Sequence, residues 1–185
     1  MRNKINSKKG FTLIELLIVI AILAILATAV ITVLNPAQLL KQARDSTRIS
    51  DLAALNSAIS LYLADVSSPS LGTCAGDTAR CTASSTSGLT TRTACSVSTS
   101  TSVTNTGWVD VNFASISAGS PLSKEPMDPV NSTSYFYSYG CSSTTYEIDA
   151  RMESTKYGSS GGSDVVSTDG GDNATVYEVG SSLVL

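Results

Sequence analysis

The sequence predicts an α+β protein: a long N-terminal helix, transmembrane in its first half and amphipathic in its second, packed on a small antiparallel β-sheet head domain. Three observations carry this. Residues 11–34 are an unbroken apolar run holding one charge, Glu15, and no Gly or Pro. Residues 37–66 carry apolar side chains at three- and four-residue spacing, the mark of a helix with one buried face. The last third alternates apolar and polar residues in short runs, as half-buried strands do. The chain therefore divides into a basic head (1–10), a membrane-length helix (11–34), an amphipathic helix (35–66), a Ser/Thr-rich loop region (67–107) and a β-sheet head region (108–185).

The apolar run comes first in the argument because it fixes the setting. A bilayer core of roughly 30 Å needs about 20 apolar residues in a helix, and residues 11–34 exceed that. Ahead of the run lie Arg2, Lys4, Lys8 and Lys9 with no acid, which keeps the N-terminus cytoplasmic under the positive-inside rule. A secretory signal has a shorter apolar core followed by a small-residue cleavage site. Here the small residue, Gly10, precedes the core. Glu15 is the second anomaly, since an ionisable group in a membrane segment costs about 2.5–3.5 kcal/mol on insertion scales and marks a specific role.

Lys8-Lys9-Gly10 followed by Phe11-Thr-Leu-Ile-Glu15 and the apolar helix resembles the prepilin signature of type IV pilins and type II secretion pseudopilins. The resemblance covers residues 8–66 well and the remainder in outline. It implies cleavage between Gly10 and Phe11 by a prepilin peptidase, with methylation of the new Phe11 amine. It implies also that Glu15 stands at the family's fifth mature position. A free α-amino group is positive at neutral pH. Buried among packed helices it needs a counter-charge, which a carboxylate of a neighbouring subunit can provide.

Asn35-Pro36 interrupts the helix just past the apolar run. Proline removes a backbone donor and clashes with the preceding turn, so a kink is expected near residues 32–36. Pilins often carry proline at the twenty-second mature position; that place here is Thr32, four residues earlier. Beyond the break, Ile49, Leu52, Leu55, Ile59, Tyr62 and Val66 line one helix face, while Lys41, Arg44, Asp45, Arg48 and Asp51 populate the other surface, with Lys41 and Asp45 spaced as an i,i+4 pair. Ser67-Ser68-Pro69 ends the helix. Residues 11–66 would together make a helix on the order of 80 Å long.

Residues 67–107 are rich in Ser and Thr and poor in apolar periodicity, so they read as a loop region and an exposed, polar face. The four cysteines, Cys74, Cys81, Cys95 and Cys141, follow the span on its exported side. An even count in an exported, loop-rich domain points to two disulfides with three connectivities open. Cys74–Cys81, a short local loop, together with Cys95–Cys141 is the expected arrangement. A zinc site from the same four thiols is disfavoured by the absence of any CxxC spacing.

Among the later residues, Val109, Val111 and Phe113 alternate as a strand would, and Pro121, Pro126 and Pro129 mark an irregular connection. Residues 134–139 are aromatic and strand-like, with a turn expected at 140–143. Tyr146, Ile148, Ala150 and Met152 then face one way, and Glu147, Asp149, Arg151 and Glu153 the other, as in a strand with one solvated face. Residues 176–179 suggest a further strand. The run from Lys124 to Tyr139 is similar to the Lys-Asp-Pro…Tyr-x-Tyr region of G-type major pseudopilins, without the Trp-Gly-Asn that follows the proline there. Between the last strands lies an acidic loop, Gly161 to Asn173. Oxygen-rich, glycine-flexed loops can hold Ca²⁺ through carboxylates and carbonyls, which makes Asp164, Asp169 and Asp172 candidate ligands. The alternative is a solvated turn, for the spacing fits no EF-hand.

Composition excludes several function classes. The formal charge is −3; without the four basic residues of the head, eight basic side chains face fifteen acidic ones, a balance of −7. Such a body offers nucleic acid no basic patch. The chain has no histidine, which removes the commonest general base and metal ligand, and no Gly-rich phosphate loop. A Ser-Lys dyad is left to chemistry, but the surroundings of Lys124 and Lys156 do not suggest one. The sequence thus calls for a non-enzymatic structural subunit without catalytic residues or a required cofactor. Its implied partners are copies of itself and other pilin-like subunits, prepilin peptidase, an assembly platform in the cytoplasmic membrane, and membrane lipid. It would wait in that membrane and then enter an extracytoplasmic pilus or pseudopilus. The alternative is a single-pass, membrane-anchored extracytoplasmic binding module that never polymerises.

Overall fold

The computed structural model describes residues 10–73 and 78–185. It divides into two units, Met1–Leu39 and Leu40–Leu185.

The first unit is built on α1 (Leu13–Leu34), whose residues are all aliphatic apart from Glu15, Thr28 and Thr32. Among the described residues, Leu13–Ile31 is the one stretch long and apolar enough to cross a membrane. Thr28 returns its hydroxyl proton to the Ala24 carbonyl at 2.8 Å, which satisfies the only hydroxyl deep in the span. The helix ends at Asn35, which adopts a left-handed conformation with φ 40°. Asparagine tolerates that region better than most residues. Pro36 then opens α2 (Pro36–Asp65) at the first helical position, where its missing N–H would be unpaired anyway. Asn35 also caps the new helix, its carbonyl accepting from the Gln38 and Leu39 amides at 2.9 and 3.3 Å. The expected interruption is therefore a stop and restart at Asn35-Pro36.

In the second unit, α2 lies on a five-stranded sheet of order β2-β1-β3-β4-β5. The strands are β1 (Thr78–Cys81), β2 (Ala94–Val97), β3 (Tyr137–Cys141), β4 (Tyr146–Ala150) and β5 (Tyr177–Gly180). All neighbours are antiparallel except β1 and β2, which run parallel. The predicted face of α2 is the core face: Leu52, Leu55, Ile59 and Tyr62 are buried, joined by Ala58, while Ile49 and Val66 flank them half-buried. They pack with Tyr137, Tyr139 and Cys141 of β3 and Tyr146, Ile148 and Ala150 of β4. The alternation of these residues is the alternation of a sheet with one face on the helix.

Several expectations are corrected. The region 67–107 is not only loop, since it contributes β1 and β2. Both strands are four residues long and rich in Ser, Thr and Cys, too short and too polar to show a period. Val109, Val111 and Phe113 are fully buried but form no strand. Their segment crosses the core irregularly and ends in a short 3₁₀ turn, Phe113–Ser115, with Tyr62 edge-on to Phe113 at 6.4 Å. The turn expected at 140–143 lies slightly later, because Gly140 and Cys141 are still in β3.

The second face of β4 is not solvated. Glu147 and Asp149 are 0% and 1% exposed, because a smaller cluster of Ala79, Cys81, Leu89 and Phe136, together with Leu185, covers that side. Nor do Asp45 and Arg48 lie on the exposed face of α2. Both are buried, and Asp45 pairs with Arg48 at 2.8 Å. Arg48 also bonds Asp128 twice, at 2.6 and 2.9 Å, and Glu153 at 2.7 Å. Asp45 in turn accepts from the Glu153 and Ser154 amides at 2.9 and 2.8 Å. A helix residue thus holds two segments about a hundred positions downstream, which no local pattern announces.

The disulfide pairing differs as well. Cys81 is joined to Cys95, their Cα atoms 5.6 Å apart, clamping the two parallel strands. Both expected pairs, Cys74–Cys81 and Cys95–Cys141, are therefore displaced. The expectation favoured the shortest loop, whereas the parallel register of β1 and β2 brings Cys81 beside Cys95. Cys141 is disulfide-bonded, and Cys74 lies outside the described residues.

Candidate functional site

The start of α1 is assembled from four residues singled out by their chemistry. Gly10 has open space around its Cα, so nothing in the described chain shields the Gly10–Phe11 bond. Phe11 is 88% exposed. Thr12 is the N-cap of α1 and Glu15 is its third helical residue. The Thr12 hydroxyl accepts from the Glu15 amide at 3.3 Å, and Glu15 Oε2 accepts from the Thr12 amide at 2.8 Å and from its hydroxyl at 2.7 Å. This reciprocal capping box satisfies two backbone donors that a helix start otherwise leaves open. Its T-x-x-E signature, Thr12 followed three residues later by Glu15 ahead of an apolar run, is the local signal in the sequence for this cap.

Beyond the cap, the flank of α1 is exposed. Leu16, Leu17, Ile18, Val19, Ile20, Ile22, Leu23 and Leu26 are each about half exposed or more. For an isolated helix that is the accessibility of side chains touching only their own neighbours. An apolar surface of this extent in water would aggregate, so lipid or other apolar helices must cover it.

The three aspartates proposed for calcium each accept hydrogen bonds from the chain. Asp164 closes its own turn, accepting from the Ser160, Val166 and Ser167 amides at 2.6, 2.9 and 3.0 Å, and from the Ser167 hydroxyl. Those hydrogen bonds, the Ser167 hydroxyl first, hold its carboxyl down at about 2. Asp169 accepts from the Gly171 and Glu178 amides at 3.1 and 2.8 Å. Asp172 is exposed, and its carboxylate meets those of Glu147 on β4 and Glu178 on β5, one oxygen from each lying within 4.8 Å of the others. From the sequence, Glu147 is expected to face outward from its strand, and Glu178 belongs to the strand suggested at 176–179. Burial pushes the carboxyls of Glu147, Asp149 and Glu178 upward; Glu147 adds to the rise of Asp149 and Glu178, and the charge of Asp172 to that of Glu147.

An N-capped helix long and apolar enough to cross a membrane, followed by a helix-on-sheet unit, defines a class: α+β proteins with one candidate membrane span. The comparisons with known proteins narrow it. Residues 5–31 match the family described as the prokaryotic N-terminal methylation motif. The chain is 38% identical over 73 residues to Fimbrial protein Q of Moraxella bovis, an alignment that takes in 40% of this chain. It spans 45% of that relative, less than half its length. No solved structure matches. The chain is thus similar, over its N-terminal part, to a prokaryotic N-terminal methylation motif and to a fimbrial protein.

Proposed function

We propose that the chain is a pilin-type structural subunit, cut after Gly10, methylated on Phe11 and polymerised through α1 into a type IV pilus or a type II secretion pseudopilus. The observation that carries this reading is the exposed apolar flank of α1 behind an exposed Gly10-Phe11 junction. In the membrane, lipid covers that flank; in a filament, identical helices do. The interaction does the work, and no catalysis is needed. Glu15 suits this use because Oε2 takes both Thr12 bonds, which leaves Oε1 for the Phe11 amine of a neighbouring subunit. The partners are further copies of this chain, other pilin-like subunits, a prepilin peptidase and an assembly platform in the cytoplasmic membrane, with the N-terminus on the cytoplasmic side.

One observation favours a second reading, a tethered binding module that never polymerises. The capping box gives Glu15 a task inside its own helix, so its presence in the span does not by itself demand a partner. Mass spectrometry of the N-terminal peptide after co-expression with a prepilin peptidase separates the two. A methylated Phe11 terminus is the expected result. An intact basic head, under conditions where a control prepilin is cut, overturns the subunit reading and leaves the tether.

A further inference from the structure

We propose that Glu147, Asp172 and Glu178 form a binding site for a divalent cation of calcium's size on the outer face of the sheet, with Asp149 as buried negative charge beside it. The site does not depend on filament assembly, and only one of its ligands, Asp172, is among the loop aspartates that the sequence suggests.

The placement begins with register. Glu147 and Asp149 are two apart on β4 and share a face, and Asp149 sits directly opposite Glu178 of β5. Three carboxylates are thereby stacked on one side of two paired strands, where like charges side by side destabilise. All three are 2% exposed or less. The ion pairs made by Arg44 and Arg48 engage Asp45, Asp128 and Glu153 and none of these acids.

The second observation is what the buried oxygens lack. Glu147 Oε2 accepts from the Leu185 amide at 2.7 Å, and Glu178 Oε2 from the Asn173 amide at 3.1 Å. The other oxygen of each, Glu147 Oε1 and Glu178 Oε1, is buried without a hydrogen-bond donor, as are both oxygens of Asp149. Four orphaned carboxylate oxygens in one patch are far outside ordinary practice, since a buried polar atom without a partner costs about 1–3 kcal/mol and a charged one more. The chain nevertheless closes over them. Gly171 lies so near the Glu178 carboxylate that a Cβ there would overlap it, and the C-terminal Leu185 is held against Glu147.

A cation resolves both problems at once. Calcium takes oxygens at about 2.3–2.6 Å, so two ligands on opposite sides stand about 4.6–5.2 Å apart. The three converging carboxylates, all within 4.8 Å of one another, fall inside that sphere. Asp172, being exposed, gives the ion an entrance from solvent. The rival way to neutralise the patch is to hold protons between the carboxyls, which calls for no metal.

The test uses the full chain in detergent micelles, stripped with chelator and titrated calorimetrically with CaCl₂, with unfolding followed through the fluorescence of Trp108. Binding of one Ca²⁺ per chain with Kd below about 1 mM, and a raised Tm, is expected. Asp172→Asn and Glu178→Gln should each weaken that Kd at least about tenfold, whereas Asp164→Asn should leave it unchanged. Asp172 is exposed and its variant should fold, so the test does not hang on Glu178→Gln alone. No heat and no change in Tm up to about 10 mM Ca²⁺ overturns the proposal in favour of shared protons. So does a calcium response that survives both Asp172→Asn and Glu178→Gln, or one abolished by Asp164→Asn.

Discussion

Arg48 on α2 and Asp128 in the proline-marked connection are joined by two parallel hydrogen bonds of 2.6 and 2.9 Å, with both side chains wholly buried. The pair holds the helix to a segment that has no regular structure of its own. Tyr135 adds to it, its ring lying 5.2 Å from the guanidinium carbon. Because Asp45, Asp128 and Glu153 all converge on Arg48, Arg48→Met would take their guanidinium from Asp45 and Asp128 and leave Glu153 with Arg44. Removing one partner from a buried charge network costs about 3–5 kcal/mol. Urea unfolding of the full chain in micelles, followed through the fluorescence of Trp108, the only tryptophan in the sequence, should show a loss of that order. A loss under about 1 kcal/mol would mean that water reaches the network and screens it.

That network also marks the boundary of what the sequence could disclose. The apolar span, the Gly10-Phe11 junction and the core stripe of Leu52, Leu55, Ile59 and Tyr62 are legible because each is written in local order: a run, a motif, a period. The burial of Asp45 and Arg48 is not, since their partners stand as much as 109 positions away. The same holds for β4. Its alternation gave the strand and its inner face, but Glu147 and Asp149 are buried by a C-terminal segment and by Leu89 and Phe136, which only the tertiary fold brings across. For β1 and β2 the reason is different: in four-residue strands of polar residues there is no period to read. The carboxylate patch could have been suspected only once β4 and β5 were known to be neighbours.

Glu125 gives the head a predictable response to pH. It is fully buried, its Oε2 accepts from the Val109 amide at 2.9 Å, and its carboxyl packs against Gly107 so tightly that no side chain fits there. Burial pushes this carboxyl up to about 8, with Asp110 adding to the rise and Arg80 opposing it. The folded state therefore keeps a proton that the unfolded state releases near 4.5. By linkage, the contribution of Glu125 to stability is greatest below about 4.5, falls as pH rises toward 8, and is level above that, with a slope of at most about 1.4 kcal/mol per pH unit. Glu125→Gln, neutral throughout, should reduce that slope and be relatively more stable at pH 8 than at pH 5. Parallel profiles of Tm against pH for the two proteins would count against it.

The disulfide assignment is directly measurable. Non-reducing peptide mapping should recover Cys81 linked to Cys95. That bridge closes a loop with a sequence separation of 14, for which the chain-entropy relation gives roughly 3 kcal/mol. The double variant Cys81→Ser/Cys95→Ser should unfold at correspondingly lower urea, with its effect centred on β1 and β2. A Cys74–Cys81 peptide would restore the short-loop pairing and contradict the register of the parallel strands.

Glu15 carries two separable roles, and two substitutions distinguish them. Glu15→Ala removes both the capping box and the charge; loss of a cap interaction costs about 0.5–2 kcal/mol of helix stability. Glu15→Gln retains an oxygen that can accept from the Thr12 amide, as glutamine does in capping boxes, but it cannot neutralise an amine. Both variants should still insert in the membrane, because the apolar run is untouched. If pairing with the Phe11 amine of a neighbouring subunit guides assembly, Glu15→Gln should give as few filaments as Glu15→Ala when sheared filaments are quantified against total subunit. Filament yield restored by Glu15→Gln would assign Glu15 to the helix cap alone. Normal yield from Glu15→Ala would remove it from assembly altogether, since neither the cap nor the charge would then matter to the filament.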